Sequence, residues 1–112
     1  MVHQMGLYGE YFQAIKVGKK TVEVRLYDEK RRKIKAGDTI EFIKVPQQDE
    51  ILTVRVTDLR SYDTFEAMYN DIPLKDFDCE DWTMKEMIGG TYEIYTPEQE
   101  KEWGTLAIMI EY

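Results

Sequence analysis

Cysteine and histidine are nearly absent from this 112-residue chain, which carries one of each, Cys79 and His3. A lone cysteine forms no internal disulfide, and a single histidine leaves no Cys/His metal cage. The same scarcity removes a Ser-His-Asp triad and a Cys–His dyad within a folded site, with His3 expected in a loose N-terminal end. No metal and no cofactor are expected. Long apolar runs are missing too. Leu106 to Ile110 is among the longest, far below the ~20 residues of a membrane span. The opening Met1-Val2-His3-Gln4-Met5 lacks the basic-then-apolar layout of a secretory leader, so a cytoplasmic protein without membrane contact is expected. A phosphate-cradling glycine loop is also lacking, which excludes a nucleotide triphosphatase. No linker rich in Pro, Gly or Ser divides the chain, and residues 1–112 are expected to form one domain.

What the chain has is charge, unevenly placed. The net charge is −7, yet Lys16 to Lys35 holds nine bases against three acids. Acids dominate after Asp58, most densely at Asp76, Asp78, Glu80 and Asp81. A basic segment on an acidic body can hold one phosphate backbone while the remainder repels it. The basic turn Lys30 to Lys35 is open to a second interpretation, as a solvated turn. The acidic cluster lacks the glycine and distal glutamate of a calcium loop. Among these acids the Cys79 thiol is expected to have a raised pKa and to be a poor nucleophile.

Hydrophobic spacing supplies the elements. Leu7, Tyr11, Phe12 and Ile15 recur at helical spacing, and Gly18 follows as a stop. Thr21 to Leu26 alternates polar with apolar, as a half-buried strand does. Ala36-Gly37-Asp38 is a turn between this region and two strands, Thr39 to Lys44 and Ile51 to Leu59, with Leu52, Val54 and Val56 pointing to the core. Asp63 with Glu66 and Thr83 with Glu86 have capping-box spacing, and Gly89-Gly90 end the second helix. Thr96-Pro97 starts a third, and Gly104 releases a last strand whose Leu106, Ile108 and Ile110 share a face. This order predicts an antiparallel α+β domain, a small β-barrel closed by its last strand and flanked by short helices. Trp82 and Trp103 are expected as core anchors, and Met68, Met84 and Met87 as core filler.

Gly18-Lys19-Lys20-Thr21-Val22-Glu23-Val24-Arg25, followed by Gly37-Asp38, resembles the ASCH domain family (activating signal cointegrator homology). The family pattern Gly-x-Lys-x-x-Glu-x-Arg and its later Gly-Asp turn are filled at Gly18, Lys20, Glu23, Arg25, Gly37 and Asp38. The resemblance implies a PUA-like β-barrel, a fold associated with RNA binding and RNA modification. One branch of the family hydrolyses the acetyl amide of N(4)-acetylcytidine with a lysine, a threonine and a glutamate. For that branch the resemblance places the lysine at Lys20 and the glutamate at Glu80, while Glu23 stands in the threonine position. A hydroxyl has there become an acceptor-only anion.

The residues themselves allow three readings. As an RNA- or modified-nucleoside-binding module, the chain would use Lys19, Lys20, Glu23 and Arg25, extended by Tyr27, Arg31 and Arg32. Arginine grips a phosphate or base edge bidentately, tyrosine stacks on an unpaired base, and Glu23 accepts from a base amino group. As an amidohydrolase it would use Lys20 and Glu80 as donor and base, with Glu23 in the pocket. As a protein-interaction module it would present Asp76, Asp78 and Asp81 to a basic partner. Strand parity sets a condition on the first two. Lys20 alternates with Val22 and Val24, so it meets Glu23 and Arg25 only if the strand bulges near Thr21 or Lys20 lies at a twisted mouth.

Overall fold

Leu52, Val54 and Val56 are buried, while Ile51, Thr53 and Arg55 between them are exposed. That period of two makes β4 the longest strand. In the computed structural model, which describes residues 1–112, eleven elements follow the order β1 (Val2–Tyr8), α1 (Gly9–Lys16), β2 (Val22–Leu26), a 3-10 turn (Arg31–Lys33), β3 (Thr39–Val45) and β4 (Ile51–Tyr62). The remainder is α2 (Phe65–Asp71), a second 3-10 turn (Leu74–Asp76), α3 (Met84–Thr91), α4 (Pro97–Trp103) and β5 (Thr105–Glu111). The strands form one curled half-barrel sheet in the order β1-β3-β4-β5-β2. Its β3–β4, β4–β5 and β5–β2 pairs are antiparallel. A register shift between Val56 and Asp58 adds one residue to β4. Such a bulge bends a strand, so β4 pairs with β3 along one half and with β5 along most of its length.

Three expectations change here. The N-terminus is not loose: Val2–Tyr8 is an edge strand running parallel to β3, so the sheet is mixed. Met5 and Leu7 point inward at the strand period. Leu7 also stands four residues before Tyr11, a helical spacing that hides the end of a strand inside the start of a helix. The last strand lies within the sheet, between β4 and β2, and the half-barrel stays open between its edge strands β1 and β2.

Leu106, Ile108 and Ile110 join Ile40, Phe42, Val54 and Val56 in the core inside the half-barrel, closed by Phe12 and Ile15 of α1. Ala107 faces the other way, into a second core with Val22, Phe65, Met68, Tyr69, Phe77 and Met87. Strand β5, flanked by β4 and β2, is thus apolar on both faces. Thr83 and Thr96 both form complete capping boxes, with Glu86 and Gln99. The cap of α2 is Thr64, accepting from the Ala67 N–H, and not Asp63. Helix α3 continues through Gly89 and Gly90 to Thr91, whose hydroxyl donates to the Met87 carbonyl and bonds the Tyr69 hydroxyl. Glycine costs about 1 kcal/mol in a helix and does not forbid it. Trp82 is 47% exposed and lies over the bare surface of Gly90, so it is no core anchor.

β1 is fastened by Asp38, in the turn before β3. Asp38 bonds the His3 ring at 2.8 Å and accepts from the Lys35 N–H at 3.0 Å. The His3 bond first, then the Lys35 N–H, pull its carboxyl down to about 2. A carboxyl depressed in the folded state stabilises above its unfolded pKa, and that contribution is lost as pH falls through the folded value. Acidification through the window from 3.8 to about 2 is therefore expected to loosen β1. Amide shifts of Val2–Tyr8 should depart from native positions before those of β4, and Asp38→Asn should show the same loosening at neutral pH. Simultaneous loss of both strands would contradict this assignment.

Candidate functional site

Gly18 adopts a φ of 81° after α1, a left-handed conformation that suits glycine. The chain then turns back, and the N–H groups of Lys19 and Lys20 both donate to the Ala14 carbonyl, at 2.9 and 3.1 Å. Lys20 is outside β2. It forms an isolated bridge with Phe77, and the Thr21 N–H donates to the Asp76 carbonyl at 2.9 Å. Regular pairing with β5 starts at Val22. The irregularity at Thr21 is what places Lys20 on the side of Glu23 and Arg25.

These three charges are packed together at low exposure. Lys20 Nζ lies 3.4 Å from Glu23 Oε1, with both side chains 7% exposed. Glu23 Oε2 accepts from Arg25 Nε at 3.0 Å and from Nη2 at 2.7 Å. Arg25 Nη2 also donates to the Gly6 carbonyl of β1 at 2.9 Å, spanning the gap between the sheet's two edge strands. Burial pushes the Glu23 carboxyl up, but Lys20, Arg25 and the Val24 N–H outweigh it, and the group lies below its ordinary range. Burial likewise pulls on Arg25, and the Glu23 carboxylate reverses the effect, leaving it raised. The cluster carries one negative and two positive charges.

Aromatic rings flank it. Lys20 Nζ is 5.7 Å from the centroid of Tyr11 and 5.9 Å from that of Phe77, within cation–π range. Burial raises the Tyr11 phenol, with Glu10, Cys79 and Glu23 adding to the shift. Cys79 is half-buried close by. Its thiol is raised chiefly by burial, with Lys20 opposing and Asp78 adding, so neighbouring acids are the lesser cause. Sequence spacing had put Tyr11 on a helix face and left Phe77 unremarked. Only the Lys20–Phe77 bridge brings the latter to the site, and no local signal announces that pairing.

The other candidate residues lie elsewhere. Lys19 is exposed at the end of α1. Glu80 is exposed in the turn before α3 and makes no ion pair with Lys20, whose carboxylate neighbour is Glu23. Tyr27, Arg31 and Arg32 follow the end of β2 away from Lys20. Arg32 stacks on Tyr27 with its guanidinium carbon 4.2 Å from the ring centroid, and donates to the Tyr27 carbonyl at 2.8 Å. Arg31 is paired with Asp28 at 2.9 Å. Tyr27 and Arg32 border a separate cleft of about 570 Å³ with Asp63, Glu102 and Trp103. The basic turn therefore forms a second locus, with its arginines already engaged by the protein. No group of three or more His, Cys, Asp and Glu side chains is arranged to hold a metal ion, and no helix is long and apolar enough to cross a membrane.

The family model of the ASCH domain matches residues 5–112. Among solved structures, the crystal structure of hypothetical protein PH0355 is 39% identical, covering 99% of this chain and 98% of that one with a TM-score of 0.88. The solution structure of protein PF0455 from Pyrococcus furiosus is 40% identical, covering 99% and 96%, at 0.77. The ASCH protein of Zymomonas mobilis, at 14% identity and a TM-score of 0.59, covers 99% of this chain and 67% of that one and shares the fold. No functionally curated protein matches the chain.

Proposed function

Because the chain belongs to the ASCH domain family, whose PUA-like α+β fold it has, we propose that it is an RNA- or modified-nucleoside-binding protein that uses the Lys20–Glu23–Arg25 cluster. The observation that carries this reading is a net positive, mostly buried charge cluster flanked by the Tyr11 and Phe77 rings. Cations of this kind hold phosphate and carbonyl oxygens, and the exposed Tyr11 ring receives an unstacked base, Phe77 being buried in the second core. Exposed Lys19 and the Lys30–Lys35 turn extend the positive track for a flexible single strand. We place the activity in the cytoplasm, in keeping with the free thiol of Cys79.

Binding of single-stranded RNA is the test. About three phosphate contacts give a slope near −2 in log K against log salt, or about a 20-fold loss between ~50 and 200 mM. Lys19→Ala should flatten that slope, and Arg25→Ala should abolish specific binding. Association that ignores salt would overturn the reading.

A hydrolase acting on N(4)-acetylcytidine is the second reading, favoured by the buried ammonium of Lys20. It ranks behind binding because Glu23, the carboxylate beside that ammonium, is bonded twice to Arg25, and Glu80 is exposed and makes no ion pair with Lys20. Release of acetate that vanishes in Lys20→Ala and Glu80→Gln would reverse this order.

A further inference from the structure

The Lys20 ammonium has three N–H donors, makes no hydrogen bond within the chain and pairs with Glu23 Oε1 at 3.4 Å. Glu23 is just as unevenly used. Its Oε2 takes both Arg25 bonds, and Oε1 takes neither. An ammonium with open donors thus stands beside a carboxylate oxygen with open lone pairs, both 93% buried and both next to aromatic rings. The one enclosed side-chain polar atom left without a partner is Arg31 Nε, so the tips of Lys20 and Glu23 keep contact with solvent and stay open to an outside partner.

The chemistry of that partner is narrow. A phosphate group would suit Lys20 but would meet the anion of Glu23 at the same point. A second cation would suit Glu23 and be repelled by Lys20 and Arg25. Only a neutral group that carries an acceptor and an N–H donor side by side answers both. An open-chain trans amide points its oxygen and its N–H in opposite directions. An amide held cis within a flat ring points them the same way, and such a ring lies well along the exposed ring of Tyr11.

Resting on the RNA- or nucleoside-binding reading, we infer that Lys20 and Glu23 read the cis-amide edge of an unpaired nucleobase. The base carbonyl oxygen accepts from Lys20 Nζ and the adjacent ring N–H donates to Glu23 Oε1. Uracil and guanine have this edge. Cytosine and adenine pair their amino donors with a ring nitrogen, which projects less toward Lys20 and offers one lone pair where a carbonyl offers two. Phosphate contacts are left to Lys19 and the exposed lysines, which position the strand without choosing its sequence.

The probes are oligouridine, oligocytidine and oligo(3-methyluridine), each about 12 nucleotides, at one salt concentration. Methylation of N3 removes the donor and keeps the carbonyls. Oligouridine is expected to bind at least about 10-fold tighter than either competitor, the size of one good two-point base contact. Lys20→Met keeps the aliphatic stem, and in it the preference should vanish while the salt dependence remains. Equal binding of all three oligomers, with normal salt dependence, would overturn the cis-amide assignment and leave RNA binding standing. A uridine preference that persists in Lys20→Met would overturn it as well. Absence of salt-dependent binding to any oligomer would remove both readings.

Discussion

Glu23→Ala is expected to destabilise the domain by about 3–5 kcal/mol, the cost of leaving buried charges without their counter-ion. Both Lys20 and Arg25 lose their carboxylate at once. At roughly 4 °C per kcal/mol for a domain of this size, calorimetry should show a melting point lower by roughly 12–20 °C. The effect has a pH signature. Because the folded Glu23 pKa is depressed, its contribution is complete above the unfolded value, 4.5, and disappears as pH falls through the folded one. The gap between wild type and variant should therefore close on acidification. Replacing Lys20, Glu23 and Arg25 together by apolar residues of similar size should restore much of the loss, since the pairs themselves contribute little beyond matching one another. A Glu23→Ala penalty under about 1 kcal/mol would mean the cluster is hydrated rather than buried.

Phe65→Ala should cost a comparable amount, about 3–5 kcal/mol, through the cavity it leaves. Phe65 is fully buried at the start of α2, with Tyr95 at 5.6 Å and Tyr69 at 6.4 Å between ring centroids. Its N–H donates to the buried Glu100 carboxylate at 2.7 Å, so backbone and side chain anchor the same point. Burial holds the Tyr69 phenol up at about 12, against the opposing bond to Thr91. Opening the cavity admits water beside that ring. Alkaline absorbance titration of the variant, at a temperature where it is still folded, should show Tyr69 ionising closer to 10.0, its ordinary value. For the wild type the sign follows directly. A phenol raised in the folded state stabilises below 10.0 and loses that contribution as pH climbs through about 12. An unchanged titration in a destabilised variant would show that the second core closes over the gap.

Local chemistry announced itself in the sequence, and long-range pairing did not. Alternation in Leu52, Val54 and Val56, the Thr83 and Thr96 caps, and the turns at Gly18, Gly37 and Gly104 each depend on neighbours a few positions away. They stand as expected. The motif positions Lys20, Glu23 and Arg25 were equally visible, and so was the condition that they converge only across a break near Thr21 or at a twisted mouth. Whether the break existed depended on Phe77 and Asp76, more than fifty residues further on, and no spacing rule reaches that far. The same holds for β1. Its partner β3 lies 37 residues away, and its own sequence mixes Gly6 and exposed Tyr8 into the strand period. Tyr27, Arg31 and Arg32 were placed with the site because they follow it closely in the chain. An extended strand carries such neighbours apart, and nearness in sequence along β2 becomes distance in space.

The Arg25 bond to Gly6 has a consequence for how the protein behaves in a crowd. A half-barrel has two unpaired rims, and an unpaired rim is a template on which another chain can add a strand. Here the rims, β1 and β2, approach closely enough for one side chain to bridge them, so each obstructs the other. The residue that grips the ligand in our reading is thus also a guard against self-association. A variant of Arg25 selected only for altered binding would expose both rims at once, and its solubility would decline along with its selectivity.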